Sequence, residues 1–429
     1  MTALALLVRL LLVPFFHERG YTSDETEYIS LARSLAAGNE FVDSNGAYSI
    51  RAPLFPYWLG FLFSTVGENI PLSHVMNCLL GASLVPLVFF GGVQLFANPG
   101  AALVASVLVA FHPGLVIYST LLQTETLYTV LLMLAFLALL DLYDTPTYRA
   151  ALAFGFAAGL ASLTRAVFVG LFPVLILAFL WSKRQAIVPI LPKTVVAILA
   201  WCLALAPWTL RNYAVHERLV PVSSGGGASL LTGNNPYATG TWRVKSGFDE
   251  WLAGQAKTRG VESIHALPEY EASTLEGRIA AAFIVENPWM ATKLAVKKAY
   301  IFWVFPITNS DSYLPPQFVA VMFDAIFYLL AGVGLVATWK MQPHLTPVYL
   351  AIAFTFCMHV VLHSEARFRL PVVPLLALFG GVAGQVVVHR QKLQDFLRTR
   401  SNKLAVISVL AFVFVVYACT GILFLNHVI

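Results

Sequence analysis

Charge is what this sequence has least of. Only 11% of its 429 residues are Asp, Glu, Lys or Arg, while 58% are hydrophobic. A soluble globular domain carries about 25% charged residues, so water is not the solvent for most of this surface. Cysteine is also scarce. Cys78, Cys202, Cys357 and Cys419 each lie inside an apolar run without a CxxC spacing. They read as small buried hydrophobes, and no disulfide framework is implied. There is no Walker loop, so no ATP-driven pump is indicated. HExxH and a zinc-ligand set are absent too. The Gly225–Gly227 triplet lacks the strand–turn–helix context of a nucleotide cradle and reads as a turn. The net charge of +5 sits in short clusters between apolar runs, not along one polar face, so no nucleic-acid partner is expected.

What the chain does have is apolar runs of spanning length from end to end. They fall at 73–96, 101–120, 124–142, 149–169, 170–182, 186–208, 317–338, 345–363, 370–388 and 404–425. Residues 1–16 add another. That stretch is interrupted by Arg9 and has no basic region before it and no clear cleavage site after it, so it reads as a membrane helix rather than a signal peptide. The fold class predicted is an all-α polytopic membrane protein with about eleven spans, within a range of about 9–13. Residues 53–66 are too short and Pro-marked for a span, which needs about 20 residues, and read as a juxtamembrane or re-entrant segment. Three units follow: an N-terminal transmembrane module 1–208 with an outer loop 17–72, a long outer loop 209–316, and C-terminal helices 317–429. Lys183, Arg184, Lys340 and the basic stretch 389–403 mark the cytoplasmic side. Loop 17–72, the turn near 120–126, loop 209–316 and the turn near 363–370 then share the opposite face of a cell (inner or plasma) membrane.

Those outer regions hold the residues able to do chemistry. In TSDETEYISLARSLAAG (22–38), Asp24 and Glu25 open a short helix, with Tyr28 one turn after Asp24 on the same face. Thr22 and Glu25 fit a capping box, which accounts for Glu25 and leaves Asp24 open. Arg51 opens RAPLFPYW (51–58) and is either an interfacial anchor or a phosphate contact. Glu125, in YSTLLQTETLYTV (118–130), stands at a membrane boundary, as a functional acid or a helix-start residue. The segment HSEARFRLP (363–371) packs His363, Glu365, Arg367 and Arg369 between two spans. If it is extended, as Pro371 favours, Arg367 and Arg369 face one way and suit bidentate phosphate recognition. Arg165 in SLTR, and Arg211 with Asn212 in PWTLRNY, add polar groups near the same side.

Taken together, the DE pair before Tyr28, RAPLFPYW, the TE at 124–125, SLTR, PWTLRNY and EARFRLPVVP resemble the glycosyltransferase-C superfamily. Within it the nearest group is the bacterial protein O-mannosyltransferases and the lipid A aminoarabinose transferase (glycosyltransferase family 39). The resemblance covers about residues 5–385. It implies many helices, an acidic first outer loop lining the active site, a polyprenyl- or dolichyl-monophosphate sugar donor, and inversion at the anomeric centre. The activity implied is that of a hexosyl- or pentosyltransferase whose acceptor is a protein, a lipid or a glycan. By the same resemblance Asp24 is the general base for the acceptor, Glu25 its neighbour, Glu125 an acid near the carrier phosphate, and Arg367 and Arg369 the phosphate ligands. One position departs. Where the aminoarabinose transferase begins its RAPLFPYW-like segment with a metal-binding glutamate, this chain has Arg51. A divalent cation (Mg or Mn) with Asp24 as its ligand therefore stays open, and Arg51 is the alternative source of positive charge. The competing reading is a secondary transporter or lipid-carrier flippase. It predicts broken helices near the midplane and internal symmetry, and no repeat is evident.

Overall fold

The computed structural model describes residues 1–17, 20–304, 314–339, 345–388 and 398–428. Lys340, residues 389–397 of the basic stretch, and 305–313 at the end of the long loop lie outside these. Among the described residues the chain is helical, with one isolated bridge between Ala238 and Val244.

The first half runs α1 (Thr2–His17), α2 (Ser23–Ala36), α3 (Leu54–Val66), α4 (Ile70–Phe96), α5 (Pro99–Phe111), α6 (Pro113–Ser119), α7 (Thr124–Asp144), α8 (Tyr148–Thr164), α9 (Val167–Ser182) and α10 (Ile187–His216). The expected span 101–120 is broken instead of continuous, because α5 and α6 meet at 54°. Pro113 has no N–H to continue the helix and disfavours helical geometry at His112. The break frees carbonyls at the end of α5, and one of them, Ala110 O, accepts from the buried Arg9 guanidinium at 3.0 Å. Arg9 therefore points inward and α1 stays apolar outside. Helix α10 runs about two turns beyond residue 208, so Arg211 and Asn212 ride on a helix, not on a loop. The segment 53–66 is the helix α3, packed on α2 where Gly60 meets the Ala32 carbonyl.

The long outer loop folds into α11 (Gly226–Gly233), α12 (Phe248–Lys257), α13 (Glu269–Glu286) and α14 (Pro288–Trp303). Leu231, Leu252, Ala256, Ile264 and Ile279 give it a small core of its own. The chain continues through α15 (Leu314–Thr338), α16 (Thr346–Val361), a 3-10 segment (Ala366–Val372), α17 (Val373–Val388) and α18 (Arg400–Val428). Buried Lys298 of α14 docks the loop unit. Its amine donates to Asn234 Oδ1 and to the carbonyls of Val361 and Leu362, each at 3.0 Å. A cation suits these last carbonyls of α16 because they carry the negative end of the helix dipole.

Five helical units are long and apolar enough to cross a bilayer, and six if the bent pair α5–α6 is one span. The other five of the eleven expected runs, α1, α8, α9, α16 and the apolar part of α18, form helices shorter than that criterion requires. The centre of the bundle is α7, which is apolar all round and buried nearly all round, as such a helix must be. Around it the helices approach through small residues, the usual device where lipid removes the hydrophobic drive between helices. A Cβ on Gly155 of α8 would lie 2.1 Å from the Ala197 carbonyl of α10, and one on Gly381 of α17 would lie 2.2 Å from Ala101 O of α5. Gly155→Leu is accordingly expected to lower stability by about 1–3 kcal/mol, read as a lower melting temperature in detergent. An unchanged melting temperature would show that α8 and α10 can separate freely.

Candidate active site

The site is assembled at the first turn of α2. Thr22 caps that helix: its hydroxyl accepts from Glu25 N–H at 3.2 Å, and its own N–H donates to Glu25 Oε2 at 2.9 Å. Glu25 Oε1 also accepts from Leu122 N–H at 3.1 Å, tying α2 to the turn before α7. The capping account of Glu25 is therefore what the structure shows. Glu25 is buried and positions its neighbour.

Asp24 faces the other way. Its Oδ1 accepts from Arg51 at 2.9 Å and its Oδ2 from Arg367 at 2.6 Å. Arg51 also donates to Glu27 Oε2, through Nε at 3.0 Å and through a terminal nitrogen at 2.5 Å, and lies 5.6 Å from the Tyr28 ring centre. Arg367 reaches Gln123 Oε1 at 3.3 Å, and its Nε lies 3.7 Å from Glu125 Oε1. Arg165, at the end of α8, lies 3.5 Å from that same oxygen and 5.0 Å over Phe368. The result is an unbroken alternation of charge: Glu27, Arg51, Asp24, Arg367, Glu125, Arg165. Acids and arginines are equal in number, so the row is formally neutral. Arg51 and Arg367 keep 31% and 21% of their side chains exposed and can be reached from outside, whereas Glu125 keeps 3%. Burial works against the Asp24 charge, but Arg367 and Arg51 more than offset it and hold its carboxyl below the usual carboxylate range.

Arg369 does not join them. The segment is a 3-10 helix, not extended, and there each residue turns about 120°, so side chains two apart diverge. Arg367 points to the outer end while Arg369 points into the bundle. There it pairs with Asp324 of α15, donates to Phe302 O at 3.3 Å, and is buried. The other Asp324 oxygen lies 3.4 Å from His112 Nε2. His112 Nδ1 accepts from Leu115 N–H at the start of α6, so Nε2 is the nitrogen that carries hydrogen in the neutral ring. Arg211 and Asn212 also lie apart from the row. Arg211 stacks 4.7 Å over Trp208 and donates to Phe41 O and Tyr48 O at 2.7 Å each. Asn212 accepts from Ser49 Oγ at 2.8 Å and donates to Val220 O at 3.0 Å. Both pin the loop that delivers Arg51. His363 donates from Nδ1 toward Ser229 O and is pushed down to about 4 by burial, and Glu365 accepts from Trp242 N–H at 3.4 Å. These two line the joint with the outer loop unit. A cavity of about 370 Å³ lies in that unit, walled by Ser224, Gly226, Gly227, Tyr270, Ser273 and Thr274.

Three participants were not singled out from sequence: Glu27, Gln123 and Asp324. Glu27 stands one helical turn after Asp24, and Asp324 is the one acid in the run 317–338, so each carried a signal. Gln123 carried none. In this structure guanidinium groups take both oxygens of Asp24, the one carboxylate proposed as a divalent-cation ligand. Among the described residues, moreover, no three His, Cys, Asp or Glu side chains are grouped to hold such a cation.

Residues 38–217 match the family of dolichyl-phosphate-mannose-protein mannosyltransferase, so the resemblance to glycosyltransferase-C enzymes of that kind holds. Among particular relatives, the undecaprenyl phosphate-alpha-4-amino-4-deoxy-L-arabinose arabinosyl transferases of Pseudomonas aeruginosa strains LESB58 and PAO1 are each 27% identical over 216 residues, 48% of this chain and 38% of theirs. The matched stretch thus spans about two fifths of the length of these curated relatives. Among solved structures, ArnT from Cupriavidus metallidurans bound to undecaprenyl phosphate aligns over 89% of this chain and 76% of that one, at 13% identity and a TM-score of 0.44. Its apo state aligns over 85% and 73%, at 14% identity and 0.38.

The Arg369–Asp324 pair yields a stability prediction. Arg369→Met alone leaves a buried carboxylate uncompensated and should cost about 3–5 kcal/mol, whereas the double variant Arg369→Met with Asp324→Leu should recover most of that loss. Melting curves in detergent check this, and equal losses in the single and double variants would refute the pairing.

Proposed function

We propose that this protein is an inverting glycosyltransferase that moves a sugar from a polyprenyl-phosphate carrier to an acceptor on the outer face of the cell membrane. The observation that carries the reading is Asp24 held between Arg51 and Arg367 at one end of an apolar helical bundle. A candidate base and two phosphate-type cations thus meet where a lipid-borne substrate can reach them. The matched family is one of lipid-phosphate-sugar transferases, and the relatives' printed name is that of an undecaprenyl-phosphate-dependent arabinosyl transferase.

The reaction this arrangement supports has one displacement. Asp24 takes the proton of the acceptor hydroxyl as that oxygen bonds to the anomeric carbon. The bond from that carbon to the carrier oxygen breaks, and its electron pair stays on the phosphate. Arg51 and Arg367 stabilise the developing negative charge, with Arg165 behind them. Arg51 supplies positive charge at the position where the resemblance places a metal-binding glutamate. The short apolar helices complete about eleven crossings, and the site faces the exterior or periplasm. The acceptor, whether protein, lipid or glycan, is placed in the cavity beside α11. Ser223 of its wall donates to Ile50 O, next to Arg51 in the chain.

A transporter reading would rest on the buried Asp324, Arg369 and His112, since ionisable groups inside a bundle also serve ion pathways. One experiment separates the two. Purified protein in detergent is given radiolabelled polyprenyl-phosphate sugars with an acceptor extract. Wild type is expected to release label from one carrier, and Asp24→Asn to slow that release by about 10²–10⁴-fold. Full transfer by a folded Asp24→Asn protein would remove Asp24 from the reaction, and no release from any carrier would favour the transporter.

A further inference from the structure

We infer that Asp24 and the carrier phosphate compete for the same two guanidinium groups, so that donor binding is what frees Asp24 to act as the base. This rests on the transferase reading and goes beyond it. As it stands, Asp24 has each oxygen held by a different arginine, at 2.9 and 2.6 Å. A carboxylate held in this way has little affinity for a proton, which is the wrong state for a base. Something must remove those contacts before the chemistry can occur.

Each arginine keeps a second acid when its contact with Asp24 is exchanged. Arg51 is gripped by Glu27 through Nε as well as through its terminal nitrogen. The Nε of Arg367 faces Glu125 at 3.7 Å. Both guanidinium groups thus have a second acid at Nε, while one terminal nitrogen of each reaches Asp24, shared with Glu27 for Arg51 and with Gln123 for Arg367. An incoming phosphate monoester or diester presents paired oxygens as a carboxylate does, so it can take over those terminal nitrogens. The backbone of Asp24 stays in place, because the Thr22–Glu25 capping box and the Leu122 N–H to Glu25 bond fix the first turn of α2. Only the Asp24 side chain needs to turn.

Charge gives the direction of the effect. The empty row is neutral, three acids against three arginines. Adding phosphate makes it negative, and the carboxylate that loses its arginines to the phosphate is the one that gains proton affinity. An empty site therefore does not activate water, and donor must bind before the acceptor is deprotonated.

This yields a sign that a merely structural Asp24 would not give. Removing the carboxylate should improve binding of the carrier while abolishing transfer. The probe is undecaprenyl phosphate without sugar, titrated into detergent-solubilised full-length protein, with inorganic phosphate as a parallel probe to tell headgroup from lipid binding. Asp24→Asn is expected to bind undecaprenyl phosphate about tenfold more tightly than wild type, the worth of one charge-assisted hydrogen bond no longer contested. Arg367→Gln should bind it about tenfold more weakly. If Asp24→Asn does not fold, Asp24→Ser is used with the same expectation. Unchanged or weaker binding by a folded Asp24 variant overturns the competition, even if transfer is lost. If wild type transfers no sugar from any donor and the binding order still holds, the transferase reading fails and the competition for the two arginines stands.

Discussion

Asp24, bracketed by Arg51 and Arg367, is the interaction on which the outer end of this protein depends. It joins α2, the loop before α3 and the 3-10 segment before α17, three stretches that share no local contact in sequence. Charges at the edge of an apolar bundle are costly unless paired, and here the four inner members of the row, Arg51, Asp24, Arg367 and Glu125, are each paired on two sides. That alternation holds three arginines close together without mutual repulsion. It also leaves them partly exposed, so their pairing can be exchanged for an incoming anion.

The rest of the bundle supports that arrangement by settling its remaining charges elsewhere. Arg369 takes Asp324, which also meets His112, Arg9 takes the carbonyl freed at the α5–α6 break, and Lys298 takes the end of α16. Each ties two elements that apolar packing alone would leave free to slide. Buried ion pairs add little net stability, and what these contribute is position. Asp324 fixes the rotation of the 3-10 segment, which sends Arg367 outward. Arg211 and Asn212 do the same for the loop that ends in Arg51. The polar residues thus divide into a row that can meet a substrate and a set that aims it.

Much of this was legible along the chain. Low charge and recurrent apolar runs predicted the helical membrane class, and the Thr22–Glu25 spacing predicted a cap that the structure contains. The topology argument gathered loop 17–72, the turn near 120–126, loop 209–316 and the turn near 363–370 on one side, and residues of the first, second and fourth meet in direct contact. Apolar length in a sequence does not say where a helix bends or stops, so the expected runs and the helices differ in their bounds. Pro113 divides one run into two helices, and α9 and α16 end at 16 residues each.

The sequence by itself determined which residues are polar in an apolar chain, and therefore which must find partners. It could not decide who pairs with whom. Arg367 and Arg369 are chemically identical and two residues apart, and local pattern favoured a shared face. A 3-10 turn separated them, because the Asp324 carboxylate inside the bundle had to be neutralised by one of the two. Partner choice over such distances depends on how the helices pack, and packing energy is a property of the whole fold. That is why Asp24 was visible as a candidate from its spacing, while the two cations that hold it, and the acid behind each, became visible only in the tertiary structure.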